Sequence, residues 1–377
     1  MKVSIVPITR ENLDLVSVAG EKWGMPRSRG WLNRCMFDPT VEDMVVDPVR
    51  GHMAMRDDGE VAAVQGYYYL PAYFKQTKLL LNTGCIMGAD PAYGADLIVC
   101  LEQNDATQSI FKQAAGNCIA NGKSAKVVGV FNGMKEAPLQ TRERRFAVAD
   151  LTGYLIFMLR RGAWIPKRLI NFVWWMLRPA SWVCRNIQAL LRPKHGFKLV
   201  NYRSLDFVKF GDFWASLLQQ NDGLMTTRSP TRLAWLFSDS LRAKTVQLVA
   251  AERDGKICGY AIVRRLPYQP HWSFAEYEIC DICALNKDEK CLEVLAGAVL
   301  TVVSRDGGIR VSHYGALPGQ DRWLNKSFKH CIVDNHPTFM YRANDKEIEA
   351  SLQKGDGWFF GPFDGERCLG HGGFVDC

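Results

Sequence analysis

Two acidic side chains in one apolar stretch are the residues of this chain best suited to proton transfer. Glu278 and Asp281 lie three residues apart within residues 277–285. A carboxylate in such a stretch can act as a general base, or it can be the structural partner of a buried cation. His271 lies in the preceding loop, where an imidazole either borders an acceptor site or faces the solvent. We predict all three as catalytic residues.

The same stretch contains a Cys-x-x-Cys pair, formed by Cys280 and Cys283. On a strand, residues three apart point to opposite faces, and no second pair of cysteines or histidines lies near. The sequence therefore predicts no zinc site. The chain has 12 cysteines, scattered along it, which is typical of buried thiols in a reducing compartment.

A hydrophobic hairpin that occurs twice indicates which elements position these residues. Gly59 and Gly255 each end an Asp-Gly turn between apolar runs, 196 residues apart. In both copies a Leu-Pro pair follows, with Leu70 and Leu266 each eleven residues after the glycine. Asp-Gly between apolar runs is a strong hairpin signal, because glycine readily adopts the positive φ of a tight turn. The repeat predicts two versions of one domain.

Each hairpin is followed by a pattern typical of a strand, a helix and a further strand. In the second half these are predicted at 277–285, 291–304 and 309–314; in the first half the helix is predicted over 109–121. A strand–helix–strand step places its two strands parallel through a right-handed crossover. The fold class is therefore α/β (α+β), with helices packed on mixed sheets.

Positive charge is concentrated between the two repeats. The net charge is +8, yet residues 151–205 contain ten Lys or Arg and no Asp or Glu, while the remaining chain has 37 basic and 39 acidic residues. We predict three parts: a first domain over 1–150, a basic aromatic helical linker over 151–205, and a second domain over 206–377.

The order of these elements resembles the GNAT acyltransferase superfamily in its tandem form. The similar pieces are Arg228-Ser-Pro leading through Trp235 into the second hairpin, its Asp-Gly turn, the strand and helix after 278, and Trp323-Leu with Ser327-Phe328. The resemblance implies two GNAT-like domains, each a mixed, mostly antiparallel sheet flanked by helices. It also implies an acyl thioester, usually acetyl-CoA, lying against a splayed strand, with its pyrophosphate at the next helix N-terminus.

The resemblance assigns further site residues in the second half. Tyr314 ends the strand after the helix, where family members often place contacts to the acceptor. However, the family's glycine-rich phosphate loop is missing, and Asp288 and Glu289 would repel a phosphate there. Loop 102–108 of the first half also lacks glycine. The residues predicted to bind acetyl-CoA or another acyl-CoA are Cys283, Ala284, Leu285, Asn286, Lys287 and Lys290.

The basic aromatic linker allows three interpretations. Its longest apolar run has nine residues, which is too short to span a bilayer. It could lie on an anionic membrane surface, with aromatic rings at the headgroup level. It could instead be a helical linker packed between the domains, or bind nucleic acid, although no recognisable nucleic-acid-binding module accompanies it.

The sequence thus predicts an acyl-CoA-dependent N- or O-acyltransferase. We expect its acceptor to be a sugar or a small or lipid-linked precursor of an envelope polysaccharide. Two alternatives stay open: an aminoacyl-tRNA-dependent transferase similar to the Fem type, and a non-catalytic GNAT-like binding or scaffold protein. Because the start of the chain is typical of a strand rather than an export signal, we expect a cytoplasmic protein, at most peripheral at the inner face of the membrane.

Overall fold

The chain forms two mixed β-sheets with helices packed against them. A computed structural model describes most of the chain, in these ranges: 3–24, 27–44, 49–92, 114–119, 135–136, 143–161, 166–191, 195–266, 275–314, 328, 330–333, 339–343, 345–354 and 358–359. The α-helices within these ranges are α1 (Leu13–Lys22), α2 (Arg29–Met36), α3 (Leu151–Arg161), α4 (Lys167–Leu191), α5 (Phe207–Gln220), α6 (Pro230–Arg242), α7 (Glu289–Arg305) and α8 (Lys346–Lys354).

The strands divide between the sheets in an order that differs from their order along the chain. The first sheet runs β1-β2-β3-β4-β5-β15-β6, with β9 paired to β3 and to β16; the second runs β14-β7-β13-β12-β11-β10-β8. The strands are β1 (Val3–Pro7), β2 (Gly51–Arg56), β3 (Val61–Phe74), β4 (Thr77–Ala89), β5 (Ala114–Ile119), β6 (Lys135–Glu136), β7 (Glu143–Val148), β8 (Lys198–Tyr202), β9 (Leu224–Thr226), β10 (Val246–Arg253), β11 (Lys256–Arg265), β12 (Ala275–Ala284), β13 (Gly308–Tyr314), β14 (His330–Val333), β15 (Phe339–Arg342) and β16 (Trp358–Phe359).

Both predicted hairpins are confirmed. β2 pairs antiparallel with β3, and β10 with β11. The turn glycines Gly59 and Gly255 have φ of +84° and +76°, the left-handed conformation that a side chain would strain. Each hairpin lies inside its sheet, flanked by β1 and β4 in the first and by β8 and β12 in the second, which explains why both are apolar.

The predicted crossover in the second half is also confirmed. β12 leads through α7 into β13, and the two strands are parallel. In the first half, the helix predicted over 109–121 is wrong, because Ala114–Ile119 is a strand that pairs with β4 and β15. Gly116 and Asn117 are poor helix formers, and pairing with two neighbouring strands outweighs the weak helical pattern.

Strands are exchanged between the two halves of the chain. β7, from before the basic segment, pairs with β13 and β14 in the second sheet. β15, from near the C-terminus, pairs with β5 in the first sheet. The domain boundaries at 150 and 205 stay a prediction, and β7 and β15 pair with strands on the other side of them.

Two equivalent helices join the halves through buried polar contacts. α2 and α6 each begin at a serine cap, where Ser28 accepts from the Trp31 N–H at 3.2 Å and Ser229 from the Arg232 N–H at 3.3 Å. Arg232 of α6 forms a buried ion pair with Asp38, at the end of α2. One hydrophobic core contains side chains from both halves.

Candidate functional site

A fork opens in the second sheet where β12 and β13 separate. Their parallel ladder runs from Ala275 with Gly308 to Ile279 with His313. β12 then continues to Ala284, and among the described strands residues 281–284 pair with β11 alone. The β13-facing edge of these residues thus leaves the ladder just before the crossover helix begins.

A β-bulge marks the point where the fork opens. The register between β11 and β12 shifts at Ile262 and Val263, leaving Cys280 as the extra residue. The first sheet has the corresponding bulge, at Gly66 and Tyr67 in the pairing of β3 with β4. Gly66 and Ile262 are 196 residues apart, as are the turn glycines. The sequence repeat therefore coincides with a repeated distortion of the sheet.

The first sheet also contains a fork. β4 pairs with β5 only from Leu80 to Asn82, and continues beside β3 to Ala89. Of the residues that connect β4 to β5, 93–113 lie outside the described ranges. In the second sheet, by contrast, the strand, turn, helix and returning strand are all described.

The turn after β12 leads from the buried fork to an exposed helix N-terminus. Residues Leu285–Lys287 form a 3₁₀ turn, with Asn286 and Lys287 at φ of +54° and +51°. The Asn286 N–H donates to Gln220 Oε1 at 2.6 Å, which ties the turn to α5. Lys287 and Lys290 are exposed beside the first turn of α7.

The N-terminus of α7 is capped by its own carboxylate. Asp288 Oδ1 accepts hydrogen bonds from the N–H groups of Lys290 at 2.9 Å and Cys291 at 3.2 Å. These donors would otherwise be available to a bound anion. The side chain that the sequence indicated as a repulsive charge therefore occupies the anion position itself.

Asp281 belongs to a buried polar network. Its Oδ2 accepts from Arg228 Nε at 2.9 Å and from the Tyr260 hydroxyl at 2.7 Å, and its Oδ1 accepts from Arg228 Nη2 at 3.2 Å. Burial, together with the neighbouring Asp281 carboxylate, raises the pKa of Tyr260 well above its usual value. These partners stabilise the charged carboxylate, so the arrangement is that of a structural ion pair.

Glu278 has a comparable partner on the adjacent strand. It lies opposite Arg264 in the β11–β12 ladder, and Arg264 Nη2 and Nε donate to Glu278 Oε2 at 2.6 and 3.2 Å. Both side chains are buried. Because an unpaired buried charge is costly, each side chain here stabilises the other.

His313 lies at the opening of the fork. It is the last β13 residue paired with β12, opposite Ile279, and its side chain is buried. Burial lowers the pKa of His313 to about 4, which a hydrogen bond with the Ile279 backbone only partly opposes. The imidazole is consequently neutral at physiological pH and does not attract anions.

The other predicted site residues differ in how well the structure locates them. Tyr314 ends β13 and pairs with Arg144 of β7. His271 lies outside the described residues. Burial raises the pKa of the Cys283 thiol well above its usual value and that of Cys291 to about 12. Both thiols therefore stay protonated and are poor nucleophiles. No group of three His, Cys, Asp or Glu side chains in the described ranges could hold a metal ion.

Solved structures with the same arrangement identify this fold. A GCN5-related N-acetyltransferase from Kribbella flavida matches 93% of this chain and 74% of its own, with 13% identity and a TM-score of 0.55. A probable N-acyltransferase from Enterococcus faecalis V583 matches 93% and 74%, with 11% identity and a TM-score of 0.56. The chain has a GNAT-superfamily fold. N-myristoyltransferase from Saccharomyces cerevisiae, solved with bound myristoyl-CoA and inhibitors, shares this fold over 90% of this chain and 80% of its own, at 9% identity and a TM-score of 0.55.

Neither a protein-family model nor a curated protein sequence matches the chain. The chain is therefore linked to these proteins by its fold alone, at 9 to 13% identity. An acyl-CoA would fit this structure in part. The fork offers a backbone edge to an extended thioester arm, whereas the capped α7 N-terminus offers its pyrophosphate only the exposed Lys287 and Lys290.

Sequence reasoning missed three features of the site. Arg228 stands in the Arg-Ser-Pro motif, and no local signal indicates its pairing with Asp281, which is 53 residues away. The neutral state of His313 depends on burial that tertiary packing creates. The Asp288 cap had a readable signal, because aspartate immediately before an apolar helix favours the N-cap position.

Proposed function

We propose that this protein is an acyltransferase that binds an acyl thioester in the fork between β12 and β13. The observation that carries the proposal is the end of the ladder at Ile279 and His313, beside the bulge at Cys280. There the backbone of 280–284 is available to an extended ligand, followed at once by a helix N-terminus. The likeness to N-acetyl- and N-acyltransferases supports this function.

The donor would be an acyl-CoA, supported by the myristoyl-CoA bound in the yeast N-myristoyltransferase. Leu285 and Asn286 form the turn that leads out of the fork, and Lys287 and Lys290 would attract phosphates at its exposed end. With Asp288 and Glu289 between these lysines, the turn has no net charge. We therefore expect the acyl arm to contribute more to affinity than the nucleotide does.

The acceptor would be an amine or hydroxyl of a sugar, as in precursors of envelope polysaccharides. This class rests on the family resemblance and on the basic aromatic segment. Tyr314 would contact the acceptor, since it follows His313 at the mouth of the fork. Glu278 and Asp281 would be the structural partners of Arg264 and Arg228 beside the site.

Binding of thioesters by the full-length protein tests the proposal. Acetyl-CoA and myristoyl-CoA should raise the melting temperature, with about 2.7 kcal/mol of stabilisation at a hundredfold excess over Kd. The change of Lys287 and Lys290 to Glu should weaken binding in calorimetry, whereas Lys256→Glu, at the exposed hairpin turn, should not. If no thioester at saturating concentration raises the melting temperature, acyl transfer is contradicted. If the change of Lys287 and Lys290 leaves the affinity unaltered, the donor binds elsewhere.

The Asp288 cap favours one alternative. A donor without a pyrophosphate at this position, such as the aminoacyl ester of a tRNA, would not meet the capped terminus. In that case tRNA should bind in a salt-sensitive way while acyl-CoA should not. A non-catalytic GNAT-like protein would bind neither donor.

A further inference from the structure

The helices of the basic segment expose an unusual amount of apolar surface. Of the eighteen large hydrophobic side chains that are exposed in the described residues, four lie on α3 and eight on α4. Each is more than 40% exposed, and Trp175 and Trp182 reach 67% and 62%. Scattered exposed hydrophobic residues are ordinary, but such a concentration marks an interaction surface.

Most of the exposed side chains of α4 lie toward one side of the helix. The spacing of Leu169, Phe172, Met176, Val183 and Ile187 is three, four, seven and four residues, which keeps them in one row on both sides of Pro179. Trp175 and Trp182, seven apart, lie beside this row. We call these seven residues the α4 face. With 25 residues, α4 is ~37 Å long, so the face has the length of a docking helix.

Val173 attaches α4 to the protein. It packs against a small core made of Ile156 and Phe157 of α3 and Ile309 of β13. α4 is therefore held on the second sheet, while the side chains of the α4 face stay exposed. Because β13 forms one arm of the fork, this contact also fixes the position of α4 relative to the proposed donor site.

The charge of the segment selects the kind of partner. Residues 151–205 have ten basic and no acidic side chains, and Arg168 is exposed at the start of α4. A second copy of the chain would bring two such segments together, and their charges would repel. Nucleic acid would use the aromatic rings but leave the aliphatic part of the face in water. An anionic lipid surface complements both the charge and the aliphatic side chains.

No helix in the described ranges is long and apolar enough to span a membrane. In α4 the apolar residues follow Lys167 and Arg168 and are interrupted by Arg178 and Arg185. A basic amphipathic helix with tryptophans is suited to lie in the plane of the interface.

We propose that α4 docks this protein on an anionic membrane surface, lying flat with the α4 face between the lipid headgroups and the acyl chains. The positive charge of the segment attracts the lipid phosphates. This inference does not depend on acyl transfer, because the α4 face lies outside the fork.

Vesicle co-sedimentation of the full-length protein tests this proposal. We expect binding to phosphatidylcholine vesicles that contain phosphatidylglycerol, weaker binding to phosphatidylcholine alone, and weaker binding at high salt. The double change Trp175→Glu and Trp182→Glu should reduce the partition coefficient by about tenfold or more. The matched control is Val18→Glu with Val208→Glu, at two exposed valines outside the segment, and it should bind as the unaltered protein does.

Three results would overturn the proposal: unchanged vesicle binding by the tryptophan variant, a dimer that this variant dissociates while vesicles are not bound, and binding of tRNA but not of vesicles. Circular dichroism and melting of both variants show that the fold is retained. Acyl-CoA binding, measured on the same variants, should stay unchanged, which separates failure of the lipid surface from failure of the donor site.

Discussion

At the scale of single residues, the two carboxylates of β12 are first of all partners in buried ion pairs. Asp281 and Glu278 each hold a buried arginine, Arg228 and Arg264. Leaving a buried guanidinium without its carboxylate is more costly than losing an exposed pair, because no water replaces the lost partner. Any chemistry at the fork therefore takes place beside groups whose charges are already neutralised.

We predict that Asp281→Asn lowers the free energy of unfolding by about 3 to 5 kcal/mol, because the Arg228 charge loses its counter-ion. Urea denaturation measures this loss. Asp254→Asn, at the exposed turn between β10 and β11, should stay within ~0.5 kcal/mol, since asparagine tolerates the positive φ there. Unchanged stability with lost activity would instead identify Asp281 as a general base.

Acid sensitivity should be traceable to His313. Its pKa is about 4 in the folded protein against an ordinary value of 6.5, so the unfolded chain binds the proton more tightly. The contribution to stability, about 3 kcal/mol, is fully present above pH ~6.5 and is lost as the pH falls towards 4. His313→Asn should remove this part of the pH dependence, which urea denaturation between pH 7.5 and 4.5 would show. Parallel stability curves for the two proteins would contradict it.

At the scale of elements, the cap that stabilises α7 also occupies the position at its N-terminus where an anion would bind. The Asp288 carboxylate satisfies two N–H donors of the first turn and complements the helix dipole. In the usual GNAT arrangement a pyrophosphate does this. α7 is therefore a stable helix whose N-terminus has fewer free N–H groups to offer an anionic ligand.

Asp288→Asn should strengthen acyl-CoA binding several-fold, by about 1 kcal/mol, because asparagine keeps the cap and removes the negative charge. Calorimetry with acetyl-CoA measures the change. Asp288→Ala should remove the cap and lower the free energy of unfolding by ~1 kcal/mol. If Asp288→Asn does not alter the affinity, the nucleotide does not approach α7.

At the scale of the whole molecule, the two halves are interlocked. β7 and β15 are exchanged between the sheets, and the buried pair of Asp38 and Arg232 joins α6 to the end of α2. One apolar core includes Leu32 of the first half and Leu236 of the second. Neither half contains all the strands of its own sheet.

Unfolding of the protein should therefore be a single cooperative transition. Near- and far-ultraviolet circular dichroism should give coincident curves. Asp38→Ala should shift the whole transition, with a loss of about 3 kcal/mol, because Arg232 stays buried without its partner. Two separate transitions, only one of them affected by Asp38→Ala, would show that the halves fold independently.

The sequence by itself determined the local elements. The hairpins with Asp-Gly turns at Gly59 and Gly255 and the crossover from β12 through α7 to β13 follow from turn chemistry and apolar periodicity. These signals lie within a few residues of one another, so they survive without knowledge of the rest of the chain. The helix predicted over 109–121 is wrong because Ala114–Ile119 pairs as a strand there, which outweighs a weak helical pattern.

Only the tertiary structure decided what the site residues do. Asp281 meets Arg228 across 53 residues, Asp38 meets Arg232 across 194, and β7 and β15 pair with strands far along the chain. Burial at the fork makes His313 neutral. These properties depend on distances between residues and on the local dielectric, which residue types and spacing do not encode. The repeat predicted the sheets, whereas tertiary packing determines which charged side chains are paired and which remain available for chemistry.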